Sequence, residues 1–426
     1  MKRKLLAVCL ILLPLLSSFA EAAPSVSAPY AILTDAKTGV VLYEKNAHTR
    51  AYPASTTKVM TAILALEKGN LDDMVSVSFN AVNSISYDSS KAGLFEGEVF
   101  SLRELVYSLL ICSANDSANV IAEHIAGDIS SFVEMMNTRA KELGAQNTHF
   151  VNTHGLHSTE HYTTAYDLAL FARHALTLPY FREIVKMRSY ILEPTDKYEE
   201  KRYLNSTNHL LNPNSEYYYA DAIGIKTGYT DEARSCLVSA SETGDASYIA
   251  VVLGAESSDG QVMSFIDSRS LLKWGAANCA PIPIAEAGAV AEAVPVQKAK
   301  GTDAVSVHTQ NAVSVILPEG ATIEQVQRLE YINKNLEAPV PAGTVVGRVD
   351  YTYGDVVVGQ TYLVTDTDVQ RQSLLGALFG KLFKSLWFYG VLLVAVLYVV
   401  LIRTRKTRMK NRRIRQAEIR RRNKYQ

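Results

Sequence analysis

Between Ser385 and Ile402 the chain runs for 18 residues without a charge, SLWFYGVLLVAVLYVVLI, bounded by Lys384 and Arg403. A helix needs roughly 20 apolar residues to cross the hydrocarbon of a bilayer, and basic side chains at its ends snorkel to make up a small shortfall. The run predicts one transmembrane helix over 385–402, which divides the rest of the chain between two compartments. Residues 403–426 hold 12 basic groups and one acid, out of 43 of each in the whole chain. The positive-inside bias assigns this basic tail to the cytoplasm, against anionic lipid, and everything before the span to the outside. A nucleic-acid binder would spread its basic charge over a folded surface, whereas the remainder here is acidic, so no nucleic-acid partner is expected.

The other end agrees. Lys2, Arg3 and Lys4 precede an uncharged stretch from Leu5 to Leu16, and Ala20 and Ala22 stand in an A-x-A arrangement before Ala23. This pattern predicts a cleaved signal peptide over 1–22, since about 12 apolar residues are too few to span. Cys9 leaves with it, preceded by Val8 where a lipoprotein signal has a small residue. Cys112, Cys236 and Cys279 remain, an odd number with room for one disulfide and no ligand spacing for zinc. Leu374, Leu375, Leu378, Phe379, Leu382 and Phe383 recur at helical spacing, predicting an amphipathic interfacial segment over 372–384.

Residues 23–280 read as a mixed α/β domain. YAILTDAKTGVVLYEKN has two strand-like runs around Asp35 to Gly39, a hairpin signal. STTKVMTAILALEKG is helical text with Gly69 as its C-terminal cap. Ser101 and Glu104 form a capping box before LRELVYSLLI, and SSFVEMMNTRAKELG is a further amphipathic helix ending at Gly144. CLVSAS and YIAVVLGA return to strand, then SRSLLKWG to helix. Strands at both ends with helices between them imply a mixed sheet backed by helices. From Pro281 the text turns to short alternating runs rich in Val, with a turn at Tyr353-Gly354-Asp355, and predicts a separate all-β domain over 281–371.

Three short elements carry chemistry. Ser55-Thr56-Thr57-Lys58 is S-x-x-K, Ser113-Ala114-Asn115 is S-x-N, and Lys226-Thr227-Gly228 is K-T-G. Residues three apart share a helix face, so Lys58 can reach Ser55. A serine hydroxyl needs a base, and a lysine serves as one when burial or a neighbouring cation lowers its pKa. Lys226 would supply that cation. Each element recurs by chance: Ser270 to Lys273, Ser117 to Asn119, and Lys37 to Gly39 repeat the three patterns. Order separates the first and last of these from the candidates, because Lys37 precedes Ser55 and Ser270 follows Lys226. Ser117, one helical turn beyond Ser113, is not excluded by order.

The three motifs occur together in penicillin-binding proteins and class A β-lactamases. The flanking text, AYPASTTKVMTAILALE, LLICSANDSANVIAE and IGIKTGYTDEARSCLVSAS, closely resembles the low-molecular-mass penicillin-binding proteins that act as D-alanyl-D-alanine carboxypeptidases. The resemblance runs from about Pro29 to Ala280, and the β domain followed by a membrane anchor resembles that family's layout. It implies a transpeptidase-like catalytic domain, selects Ser113 over Ser117, and implies a role for each residue. Ser55 is acylated, Lys58 is its base, Ser113 and Asn115 form a proton relay, and Lys226 with Thr227 reads the substrate's terminal carboxylate. The backbone N–H groups of Ser55 and of Tyr229, the residue after Gly228, form the oxyanion hole. Peptidoglycan stem peptides are the implied substrate, β-lactam antibiotics the implied inhibitors, and no cofactor or metal is required. The chain departs from the pattern at Arg234, where many members have a small residue, and at Gly254-Ala255-Glu256, where some carry an arginine.

His149, His154, His157 and His161 fall within 13 residues, but at spacings unlike a helical ligand pair, so a metal site is not expected. Cys112 beside Ser113 reads as a small buried residue, and Tyr217 to Tyr219 as wall packing. A β-lactamase-like hydrolase is one alternative, although no E-x-x-x-N element between Gly155 and Pro194 would hold a deacylating water. A non-catalytic penicillin-sensing or wall-binding module is the other.

Overall fold

The computed structural model describes residues 23–373 and 386–423. The leader over 1–22 and nearly all of the 372–384 segment therefore lie outside the described residues. The chain divides into two compact units. One comprises the residues up to Ile284 with Val313–Leu329 and Asp350–Gln360; the other comprises Ala285–Ala312, Glu330–Val349 and the residues from Thr361 onward.

The first unit contains β1 (Tyr30–Asp35), β2 (Val41–Lys45), β3 (Met74–Ser76), β4 (Val99–Ser101), β5 (Ser189–Leu192), β6 (Arg202–Asn205), β7 (Ala222–Thr230), β8 (Arg234–Thr243) and β9 (Ala246–Ala255). Its helices are α1 (Lys58–Lys68), α2 (Phe79–Asn83), α3 (Leu102–Ile111), α4 (Asn115–Ala126), α5 (Ile129–Glu142), α6 (Ala165–Ala175), α7 (Phe181–Val185) and α8 (Met263–Asn278). The main sheet has the order β2-β1-β9-β8-β7, so the first and last thirds of this unit meet where β1 pairs with β9. Side chains alternate across a strand. Ile32, Val238, Ile249, Val251 and Leu253 join the large core shared with α1 and α6, while Leu237 packs on Phe265 of α8. Both faces are covered, which is why YIAVVLGA is apolar throughout instead of alternating.

Local chemistry fixes the element ends. The β1–β2 turn closes on Asp35, whose carboxylate accepts from the N–H and hydroxyl of Thr38, with Gly39 at φ 82°. The Ser101–Glu104 capping box is present, a feature worth about 1 kcal/mol. Gly69 ends α1 as expected but in an extended conformation, φ −95°. What needs glycine there is space, since a Cβ would lie 2.3 Å from Leu102 Cδ2. Gly144, after α5, is the left-handed glycine, at φ +90°.

In the strand-rich region after Pro281, six strands lie in the spatial order Gln327–Ile332, Val345–Tyr353, Val356–Thr365, Ala304–Thr309, Val290–Gln297, Leu336–Glu337. Gly354, at φ +57°, turns the hairpin between the second and third of these. At the C-terminal end, α9 (Leu386–Arg422) is one helix of 37 residues, about 56 Å long at 1.5 Å per residue. It crosses from the apolar run into the basic cluster without a break. In the basic half, Met409, Ile414 and Ile419 are five residues apart and point about 140° from one another, so no apolar face forms.

Candidate active site

Ser55 sits on a tight turn, Ala54–Thr57, that runs directly into α1. The turn is held under strain. Ala54 has φ 46°, a left-handed conformation that costs a non-glycine residue about 1 kcal/mol or more. Segment 152–156 presses against it. Gly155, at φ +93°, lies so close that a Cβ would fall 1.8 Å from the Ala54 carbonyl oxygen. A chain of hydrogen bonds secures the same corner. Val151 N–H donates to His161 Nδ1 at 3.0 Å, which leaves His161 Nε2 as the protonated nitrogen. Nε2 lies 2.8 Å from Thr57 Oγ1, and Thr57 Oγ1 in turn donates to the Ala54 carbonyl at 2.8 Å. Burial, with smaller contributions from His149, His157 and Lys58, holds the His161 pKa down at about 3, so this ring is a neutral strut at any ordinary pH.

Lys58 is fully buried, with its Nζ 2.8 Å from Ser55 Oγ and 2.9 Å from the His154 carbonyl. Burial and, next, the charge of Lys226 hold its pKa well below the ordinary lysine value. Lys226 is buried too, and desolvation lowers its pKa to about 7. Its Nζ donates to the Thr227 carbonyl at 2.9 Å. Two ammonium groups in one buried pocket disfavour each other, and the charge of Lys226 favours the neutral form of Lys58. A neutral Lys58 can accept the Ser55 hydroxyl proton across the same 2.8 Å.

Ser113 occupies the α3–α4 connection at φ 65°, a second non-glycine residue in the left-handed region. Asn115 opens α4, and its buried Oδ1 has no hydrogen-bond partner. A buried orphan acceptor on the cleft wall is a site for a donor from a bound molecule. Asp116, next in sequence, accepts from the backbone N–H groups of Ala92, Gly93 and Leu94 at 3.0, 2.9 and 3.1 Å. It pins the preceding loop, whose Ser86, Ser89 and Ser90 line the same cleft, with the Ser90 carbonyl accepting from Asn115 N–H at 2.9 Å. Ser117 is elsewhere: fully buried, its Oγ lies 2.6 Å from Ser108 Oγ and it does not line the cleft.

Strand β7 supplies the floor. A Cβ on Gly228 would stand 2.9 Å from the Ser55 backbone nitrogen, so the strand approaches the Ser55 amide as closely as only glycine permits. Thr227 Oγ1 and Thr207 Oγ1 are 2.5 Å apart, and both residues line the cleft. The Tyr229 side chain faces solvent, its hydroxyl donating to Asp231 at 3.1 Å, which leaves the backbone of Tyr229 as its part of the site. The cleft encloses about 720 Å³, and Ser55, Ser113, Asn115, Thr227, Gly228 and Tyr229 all line it. Lys58 and Lys226 lie beneath the surface. Arg234 is exposed at the start of β8 and does not line the cleft.

The other sequence candidates resolve as packing. Tyr217 stacks on Phe265 with ring centroids 5.1 Å apart. Cys112 is half-buried, and burial pushes its thiol up to about 11, away from a nucleophile's range. Cys112, Cys236 and Cys279 are unpaired. Among the described residues no group of His, Cys, Asp or Glu is arranged to hold a metal. Sequence reasoning missed the structural work of His154, His161 and Asp116. Their partners lie 96, 104 and 22 to 24 residues away, and no local pattern announces such pairings.

Two family models match the chain: D-alanyl-D-alanine carboxypeptidase over residues 17–257, and penicillin-binding protein 5, C-terminal domain, over residues 281–371. A D-alanyl-D-alanine carboxypeptidase of Bacillus subtilis is 32% identical over 353 residues, 80% of this chain and 85% of the relative. One of Haemophilus influenzae is 31% identical, covering 89% of this chain and 93% of its own length. Among solved structures, penicillin binding protein 5 from Haemophilus influenzae aligns with a TM-score of 0.63 at 29% identity, covering 82% of this chain and 100% of that one. A peptidoglycan synthesis regulatory factor from Streptococcus pneumoniae aligns with a TM-score of 0.70 at 28% identity over the same shares.

Proposed function

Because this chain belongs to the D-alanyl-D-alanine carboxypeptidase family of serine peptidases, we propose that it removes the terminal D-alanine from peptidoglycan stem pentapeptides through an ester on Ser55. The observation that carries the residue assignment is the Lys58 amine, fully buried 2.8 Å from Ser55 Oγ and facing a second buried cation. Neutral Lys58 takes the Ser55 proton as Oγ attacks the penultimate carbonyl. The oxyanion rests on the N–H groups of Ser55 and Tyr229. As the tetrahedral intermediate collapses, the proton passes from Lys58 through Ser113 to the leaving nitrogen, and free D-alanine departs. Asn115 orients the substrate amide, while Thr227, backed by Lys226, reads the terminal carboxylate. Water then repeats the sequence in reverse roles, with Lys58 again as base, and releases the shortened peptide and Ser55.

Helix α9 is long and apolar enough to cross a bilayer. In our reading it anchors the chain once in the bacterial cytoplasmic membrane, with the catalytic unit outside and the basic half of α9 inside. The strand-rich domain over 281–371 serves as a spacer toward the wall.

The test is incubation with a pentapeptide ending in D-Ala-D-Ala and, separately, with labelled penicillin. Release of D-alanine and a long-lived adduct on Ser55 fit the proposal. Rapid release of hydrolysed drug would indicate a β-lactamase, and no adduct at all a binding module.

A further inference from the structure

A second cleft, of about 450 Å³, opens beside the catalytic one and shares Glu232 with it. The partition between them is thin. Tyr52 meets His157 edge to face at 4.6 Å, and His157 Nδ1 lies 4.0 Å from Glu232. Tyr52 is three residues from Ser55, so their Cα atoms are at most about 11 Å apart.

The lining has a consistent character. Tyr30, Tyr52 and Tyr162 are half-exposed there, Arg50 lies over the Tyr162 ring at 4.2 Å, and Glu160 and Glu232 provide acceptors. Arg50 makes no ion pair with either glutamate. Aromatic faces beside free guanidinium donors and carboxylate acceptors suit a ligand with apolar ring faces and hydroxyl or amide edges. One cation against two carboxylates disfavours a polyanion. The stem peptide of the proposed substrate leads, four residues from the scissile bond, to such a ligand, an N-acetylated sugar. Four extended residues span up to about 14 Å, longer than the ceiling of about 11 Å on the separation of Ser55 from Tyr52, which lines the second cleft.

We infer that this cleft is a saccharide subsite, which binds the disaccharide carrying the stem peptide while the stem's end occupies the catalytic cleft. The inference rests on the carboxypeptidase reading above. Binding energy gained at such a distance from the reacting bond improves kcat/KM only for substrates that carry the sugar.

The experiment compares D-alanine release by the full-length protein from a free pentapeptide and from the same pentapeptide on its disaccharide. The expected kcat/KM ratio favours the disaccharide substrate by about fivefold or more. Arg50→Ala and Tyr162→Ala bring that ratio close to one. A wild-type ratio near one, or a ratio untouched in both variants, would overturn the subsite while leaving the carboxypeptidase standing. Absence of D-alanine from both substrates would overturn the carboxypeptidase reading and this inference with it. Arg50 is exposed, so Arg50→Ala carries the test should Tyr162→Ala lose its fold.

Discussion

The Ser55 corner and helix α9 are built on opposite terms. From Pro53 to Lys58, and again at Ser113 to Asn115, the chain breaks local rules: left-handed non-glycine residues, a buried amine and an orphan acceptor. Over Leu386–Arg422 it breaks none, and what distinguishes that helix is only which side chains the backbone carries. Rule-breaking that persists must be over-determined by its surroundings, and such places concentrate function. At the corner the surroundings are Gly155, the His161–Thr57 link and the Asp116 clamp.

The largest test of that contrast removes the strained chemistry itself. Ser55→Ala and Lys58→Met should each lower D-alanine release by on the order of 10³-fold or more. Lys58→Met should also stabilise the fold at neutral pH. A lysine whose folded pKa lies below its unfolded value binds fewer protons when folded, so its contribution to stability is full above the unfolded pKa and is lost as pH falls through the folded one. Thermal melts should show Lys58→Met above wild type by roughly 5 °C near pH 7. The gap should narrow toward pH 10. A variant less stable than wild type at pH 7 would mean that the amine is no burden to the fold.

How much of this was legible beforehand follows the same divide. The hairpin at Asp35 to Gly39, the Ser101–Glu104 box and the three motifs are statements about neighbours in sequence, and the fold keeps them. The reach of Lys58 to Ser55 is also local, because three residues make one helical turn. The His154 carbonyl as a second partner for Lys58 depends on a segment 96 residues away, and only the fold brings it there. Gly69 shows a subtler gap, since its glycine is required by Leu102 from another helix and not by its own dihedral angle. For α9 the abrupt change from apolar to basic text invites a boundary near 402, yet backbone hydrogen bonds are indifferent to side-chain polarity and the helix continues.

The next effect concerns the second amine. In the proposed mechanism penicillin acylation requires neutral Lys58, so its rate should rise with pH and level off well below the ordinary lysine pKa. Lys226→Gln removes a positive charge that favours neutral Lys58. The Lys58 pKa should therefore rise and the acidic limb of the profile move to higher pH, with about a 10²-fold loss at pH 7. A limb that stays in place while the rate falls would leave Lys226 a role in binding alone.

His161 should matter less, and in a distinguishable way. Losing its bond to Thr57 relaxes the turn that aims Ser55, for about a tenfold fall in acylation rate in His161→Ala. Because the ring is neutral down to about pH 3, the pH profile should not move, and His161→Gln, which keeps a donor, should recover part of the rate. A shifted profile would mark His161 as part of the proton path instead of a strut.

The smallest expected effect is at Arg234, which shares the left-handed conformation of Ala54 and Ser113, with φ 56°, but not their setting. It opens β8 beyond a turn, is exposed, and stays off the cleft wall. If strain matters only where the surroundings direct it at substrate, Arg234→Ala should keep kcat/KM for the pentapeptide within about twofold, as surface changes away from packed features usually do. A marked loss with an unchanged melt would mean that this guanidinium reaches the substrate carboxylate when peptide binds. Thr227 and Thr207, with Lys226 beneath them, would then be only part of the carboxylate site, and the line drawn between strained cleft residues and strained turn residues would fail.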